Sequence, residues 1–174
     1  LSNYSLGVNN LFPNVFMVLN QSEAKEILTK YNEIELYQHQ IFGVRKVLRS
    51  HTTYHRLSNL LSKIGYDIKE TFPYKIAVVY EYEQTKNIVN SFKRQTLQNK
   101  DLISLDELKE KYTEYDYVAF FCDKYEYGEF YLEDMVNGFK YTNSTYVTKD
   151  SYYNGREKIE GIENNYINAI KDYN

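Results

Sequence analysis

Carboxylates that directly follow a buried strand are the side chains of this sequence best placed for chemistry. Tyr117-Val118-Ala119-Phe120-Phe121 is an apolar run, and Asp123, Glu126 and Glu129 come immediately after it. In an α/β protein that order sets acidic groups at the carboxyl end of a central strand, where ligands bind. Two other places carry reactive residue types. His51 and His55 are four apart, a spacing that can serve a metal or a phosphate. With no third ligand nearby, they read as packing and helix-terminus groups. Cys122 stands next to Lys124 but has neither a partner histidine nor a second cysteine, so it reads as inert.

The acidic loop needs a frame. After it, Tyr131, Leu132, Met135, Val136 and Phe139 recur at steps of three and four, one buried face of a helix from Phe130 to Tyr141. Thr145 to Thr148 reads as a closing strand. Upstream, Lys75 to Tyr80 is a buried strand and Gln84 to Gln95 a helix with Ile88, Val89 and Phe92 inside. A second helix runs from Leu105 to Tyr112, opened by Ser104 with Glu107 three residues on, a capping box. Strand, helix, helix, strand, loop, helix, strand makes 74–174 an α/β domain.

The residues before it read differently. Asn9-Asn10 and Pro13-Asn14 are turn chemistry, and Val15-Phe16-Met17-Val18-Leu19 reads as a strand buried on both faces. Asn20 or Ser22 caps a helix through Tyr31, with Glu23 and Glu26 in its first turn. Helical spacing then runs from Ile34 to Ile64 with a break near Ser50 to Thr53, closed by Gly65. Residues 1–66 are thus a strand plus a long helical segment, and Asp67 to Tyr74 is the connector. At the far end Ile159, Ile162, Tyr166, Ile167 and Ile170 fit a helical stripe, while Asn164-Asn165 fits a hairpin turn in the same place; the helix is the reading taken.

Composition limits the partners. A formal net charge of -3 gives no basic field for a phosphate backbone, so nucleic acid is not expected despite the 20 tyrosines. One cysteine forms no internal disulfide and no cysteine-based zinc cluster, which suits a reducing cytoplasm. No apolar run approaches the roughly 20 residues of a transmembrane segment. The chain opens on Leu1 inside what reads as the middle of a motif, as if cut from a longer protein.

Two stretches resemble known enzymes. Gly43-Val44-Arg45-Lys46-Val47-Leu48 followed by His51-Thr52-Thr53-Tyr54-His55-Arg56-Leu57 resembles the terminal helical segment of CgeB-like (spore maturation type) bacterial glycosyltransferases. Asn3-Tyr4-Ser5-Leu6-Gly7 and the run at Val15 look like the last βα unit before it. Tyr117-Val118-Ala119, Phe121, Tyr127, Tyr131-Leu132, Asp134, Phe139-Lys140-Tyr141-Thr142 and Lys149 resemble the acidic-motif region of family-2-type (GT-A) glycosyltransferases of bacterial surface polysaccharide pathways. The order, tail of one followed by start of the other, agrees with a fusion of the two.

That resemblance implies an α/β, Rossmann-like (GT-A-type) layer with a mostly parallel central sheet, preceded by a helical segment. It implies a nucleotide sugar as ligand, surface polysaccharide or teichoic-acid-like polymer as product, and the remainder of a larger glycosyltransferase polypeptide as partner. Tyr80, Glu81 and Tyr82 would meet the nucleotide base, with Arg94-Gln95 near the nucleotide; as strand-end and helix-end residues they equally need no function. A divalent cation, magnesium or manganese, would sit on Asp123 and neutralise the diphosphate leaving group. Here the sequence departs from the family. Cys122, Lys124 and Tyr125 replace the other members of the aspartate run, and an ammonium at Lys124 repels a cation, though it can itself meet a diphosphate as a point charge. The segment between Gln95 and Tyr117 is short for the family, and no counterpart of its catalytic base precedes Asn174, so the catalytic residues are unknown and transfer by this chain alone is not expected. The alternative is a catalytically degenerate module acting as an interaction or acceptor-positioning domain.

Overall fold

A computed structural model describes residues 7–12, 15–66 and 74–161. The Pro13-Asn14 turn, motif residues 3–6, most of the connector and the tail beyond 161, with both of its readings, lie outside those residues. The chain divides into two units, Leu1–Tyr74 and Lys75–Asn174.

The first unit is helical among its described residues: α1 (Val8–Leu11), α2 (Gln21–Lys30), α3 (Glu33–Ser50) and α4 (Thr53–Lys63). Each longer helix starts on a residue that can accept from the orphan N–H groups of a first turn. Asn20 accepts from Glu23 N (3.0 Å), and Asn32 accepts from Glu35 N while Glu35 returns a carboxylate to Asn32 N, both at 2.9 Å. At α4, His55 Nδ1 accepts from Thr52 N at 3.3 Å. Gly65, at φ 89, closes α4, where Tyr66 N donates to Leu61 O and Gly65 N to Ser62 O. This is a Schellman motif, and it needs the left-handed conformation that glycine takes without strain.

The strand expected over Val15–Leu19 does not form. Met17 makes an isolated bridge, Val18 alone is buried, and Leu19 is 86% exposed. The cause is the helix that follows. Glu23 takes the Leu19 N–H at 2.8 Å as part of the α2 cap, and Phe16 turns its ring to Tyr31 and His39 (both 5.3 Å). An apolar run becomes a strand only when a neighbour takes its backbone groups, and the described elements around it are helices.

The second unit is α/β. Strands β1 (Ile76–Tyr80), β2 (Lys100–Ser104) and β3 (Tyr117–Phe120) form a parallel sheet in the order β2-β1-β3. Helix α5 (Lys86–Arg94) joins β1 to β2, and α6 (Leu105–Lys111) with a 3-10 turn (Tyr112–Glu114) joins β2 to β3. Helix α7 (Tyr131–Phe139) follows, then a hairpin of β4 (Tyr152–Asn154) and β5 (Glu157–Ile159). In the parallel register Val78 stands beside Leu102 and Ala119, and Val79 beside Ile103 and Phe120. β1 is therefore central, and Ile76 to Val79 are buried on both faces, as its unbroken apolar sequence requires.

Alternation sorts the rest. Ala77, Val79 and Ile103 form one layer with Leu105 and Leu108 of α6 and Tyr115. Tyr117 and Phe121 face the other way, onto Phe139 (4.7 Å, stacked) and Tyr131 (6.0 Å, edge-on) of α7. Val118 and Phe120, at the sheet edge beyond α6, stay 43% and 61% exposed.

Sequence patterning passes over β2, because Lys100-Asp101-Leu102-Ile103-Ser104 has only two apolar residues; its place beside β1 comes from the sheet. The Ser104–Glu107 box forms as the spacing predicts, with Glu107 N on Ser104 Oγ at 3.2 Å and Ser104 N on Glu107 Oε2 at 2.9 Å. The strand expected at Thr145–Thr148 is irregular instead. Val147 there packs against α7 at Gly138, where a Cβ would meet its methyl groups at 3.0 and 3.2 Å, so the segment covers a helix rather than pairing with a strand.

Candidate functional site: the crevice between β1 and β3

In a parallel sheet of order 2-1-3 the connections leave β1 on one side and β3 on the other, opening a crevice at the carboxyl ends of those two strands. The loop 81–85 after β1 and the loop 121–130 after β3 line it. Tyr80 ends β1 half-buried; Glu81 and Tyr82 follow it exposed, Tyr82 at 88%. The Tyr82 phenol is hydrogen-bonded to Glu81, which holds its pKa above the usual value.

The acidic loop does not stand open. It runs as a strap beside α5, in the same direction, tied at successive positions. Thr85, the N-cap of α5, accepts from Ile88 N at 3.3 Å and donates its hydroxyl to Asp123 Oδ1. Asn87 Nδ2 donates to the carbonyls of Asp123 (2.6 Å) and Tyr125 (3.1 Å). Tyr127 N donates to Ser91 Oγ (3.3 Å). Buried Gln95 donates to Gly128 O and to Ser91 O, both at 2.9 Å, and accepts from Leu132 N at 3.0 Å. Thr96 N donates to Glu129 O (2.9 Å), and its hydroxyl to Glu133 (2.8 Å). These contacts satisfy the backbone of an irregular segment that has no strand neighbour.

The strap also folds over its own tyrosine. The Tyr127 ring lies on Phe121 at 3.9 Å with the planes 4° apart, and its hydroxyl accepts from Cys122 N at 2.9 Å. Burial pushes the Tyr127 phenol above its ordinary pKa, and burial does the same for Tyr131. Cys122 N and Tyr127 thus close a short loop, 122–127, with Asp123 and Lys124 at a turn made by Tyr125 N on Cys122 O (3.2 Å).

The residues assigned to a nucleotide divide accordingly. Tyr80 at the end of β1 and Glu81, Tyr82, Asp123 and Lys124 on the two loops lie at the carboxyl edge, where the Thr85–Asp123 bond joins the loops. Arg94 does not join them. It is on the last turn of α5, about 13 Å along the helix from Thr85 at 1.5 Å per residue, and faces Glu126 at 3.9 Å. Lys124 is exposed.

As a cation site the loop offers little. One oxygen of Asp123 already accepts from Thr85, and Glu126 turns to Arg94. Among the described residues no three His, Cys, Asp or Glu side chains are grouped to hold a metal. Magnesium wants near-octahedral oxygen ligation from one or two carboxylates together with substrate phosphates, and an adjacent ammonium opposes it. This donor set does not fit magnesium or manganese. His51 and His55 do not share a helix face either: His51 is the C-cap of α3 with its ring on Phe12 (5.1 Å), while His55 caps α4.

Sequence reading missed Asn87 and Ser91, which organise the site, and set Gln95 beside a nucleotide rather than under the strap. Asn87, Ser91 and Gln95 are polar, recur every four residues, and hold the strap. The signal was available: a polar row at helical spacing beside the apolar row Ile88, Val89 and Phe92 marks a second contact face.

Comparison with protein-family models, with curated proteins and with solved structures returns no match. Among the described residues, no helix is long and apolar enough to cross a membrane.

Proposed function

We propose that this chain belongs to a bacterial nucleotide-sugar glycosyltransferase of surface-polymer synthesis, and that its α/β unit has lost metal-assisted transfer. The unit then serves as an interaction or acceptor-positioning domain beside the active part of a larger polypeptide. Its descent from such enzymes is supported by the Gly43-to-Leu57 and Tyr117-to-Lys149 sequence patterns and by a parallel α/β layer of the required kind.

One observation carries the loss of transfer: the strap after β3 is bound along α5, with the Asp123 carboxylate taken by Thr85. Transfer from a sugar diphosphate needs positive charge where the leaving group develops negative charge, in a crevice open to the donor. Here the single remaining carboxylate is engaged, and the crevice edge is occupied by the protein's own backbone and tyrosines. Exposed Lys124 is left as the cation of this loop, a point charge that can meet a phosphate weakly.

The test is calorimetry of the full chain with manganese, alone and with UDP-glucose or UDP-N-acetylglucosamine. No heat is expected from manganese under either condition. A manganese-dependent heat with a UDP-sugar that disappears in Asp123→Ala would overturn the proposal and return donor binding to this unit.

A further inference from the structure

The strap has two parts held by different physics. Residues 122 to 126 are all exposed; three hydrogen bonds from Thr85 and Asn87 tie this part to the start of α5, and an exposed Arg94–Glu126 pair at 3.9 Å meets it at the helix end. Residues 127 to 132 are held from inside: the Tyr127 ring lies flat on Phe121, Gln95 is buried between Gly128 O and Leu132 N, and Leu132 is 1% exposed. Hydrogen bonds exposed to water are readily exchanged for water, whereas a buried donor stripped of its partner has none. Tyr127 and Gly128 mark the boundary, where Ser91 Oγ accepts from Tyr127 N and Gln95 donates to Gly128 O.

We infer that segment 122–126 is a latch at the carboxyl edge of β1 and β3 that releases as a unit while 127–132 stays docked on α5. This rests on the reading of Asp123 as engaged and makes that engagement reversible. The same bonds that engage Asp123 hold the latch down. The turn made by Tyr125 N on Cys122 O lies wholly within the segment and lifts with it, pivoting on Cys122, whose N–H stays on the hydroxyl of docked Tyr127. Release frees the Asp123 carboxylate from Thr85. It leaves the Gln95 contacts in place.

The test is backbone 15N relaxation on the full chain and on the variant Asp123→Ala/Asn87→Ala/Glu126→Ala, which cuts these ties together with the Arg94–Glu126 pair and leaves the Thr85 cap of α5 intact. Order parameters at 123–126 are expected to fall from about 0.85 to below about 0.6 in the variant, with 128–132 unchanged. Segments 123–126 and 128–132 loosening together, or 123–126 remaining rigid, would overturn the inference. Hydrogen exchange on the unaltered protein gives a check independent of the variant's folding: Tyr125 N–H is expected to exchange at least tenfold faster than Leu132 N–H, and equal protection counts against the latch. Either result is independent of whether a UDP-sugar binds.

Discussion

The helical unit and the α/β unit start and stop their helices by the same local chemistry and differ in what they bury. Asn32 with Glu35 and Ser104 with Glu107 make equivalent capping boxes, one in each unit. Yet α2, α3 and α4 contain no fully buried residue, and Leu57, Leu60 and Ile64 are half or more exposed. In the α/β unit Ile76, Val78, Val79 and Leu132 are almost completely removed from water. Caps decide where a helix begins, each for about 1 kcal/mol. Burial of apolar surface decides which unit is held together by its own interior.

The sharpest way to break that comparison is to truncate the same side chain in both units. Leu132→Ala is expected to destabilise the α/β unit by about 2–5 kcal/mol, the cost of a buried leucine and its cavity, in chemical denaturation followed by circular dichroism. Leu60→Ala, on a side chain 58% exposed, should stay within about 0.5 kcal/mol. A large loss at Leu60 would mean that the helical face is covered, and the contrast between the units would fall.

Gln95→Ala comes next. It strips Leu132 N, Gly128 O and Ser91 O of a buried partner and should cost about 1–3 kcal/mol. Hydrogen exchange should report it first at Leu132 N–H. An unchanged midpoint would show that the strap is not anchored there.

The smallest expected effect is electrostatic and sits at the opposite edge of the sheet. Lys75 Nζ lies 3.0 Å from Asp101, over the Tyr115 ring at 4.6 Å, and the Tyr115 hydroxyl donates to the same carboxylate oxygen at 3.0 Å. The hydrogen bond from Lys75 foremost, with Tyr115 adding, holds the Asp101 carboxyl below its ordinary pKa. A carboxylate depressed on folding stabilises above its unfolded pKa, about 3.9, and that contribution is lost as pH falls through the folded value. Lys75 is raised, chiefly by the same bond, so its contribution is full below 10.5 and fades above it. Both groups are partly exposed, so the effect is small. Asp101→Asn should flatten the acid limb of the stability profile below about pH 4; an identical acid limb would remove Asp101 from the account.

Much of the fold was legible because its signals are local. The Ser-x-x-Glu box, the break between α3 and α4, Gly65 and the unbroken apolar run of β1 each follow from neighbouring residues. What escaped depends on partners distant in sequence. β2 is a strand because β1 lies beside it, and Val15–Leu19 is not one because the described elements around it are helices. The hairpin at 152–159 does have a local signal that sequence reading passed over, Asn154 followed by Gly155. The acidic loop is the instructive case. Asp123 is where an α/β protein displays a carboxylate, and only Thr85 and Asn87, over thirty residues earlier, turn that display into a tie.

The most direct test of the closed crevice is a crystal structure of the protein soaked with manganese and UDP, recorded with anomalous data. The account predicts Asp123 still on Thr85, Asn87 still on the strap carbonyls, and no anomalous peak beside either. A manganese peak within about 2.3 Å of an Asp123 oxygen, with the strap lifted and UDP phosphates completing the coordination, would contradict it.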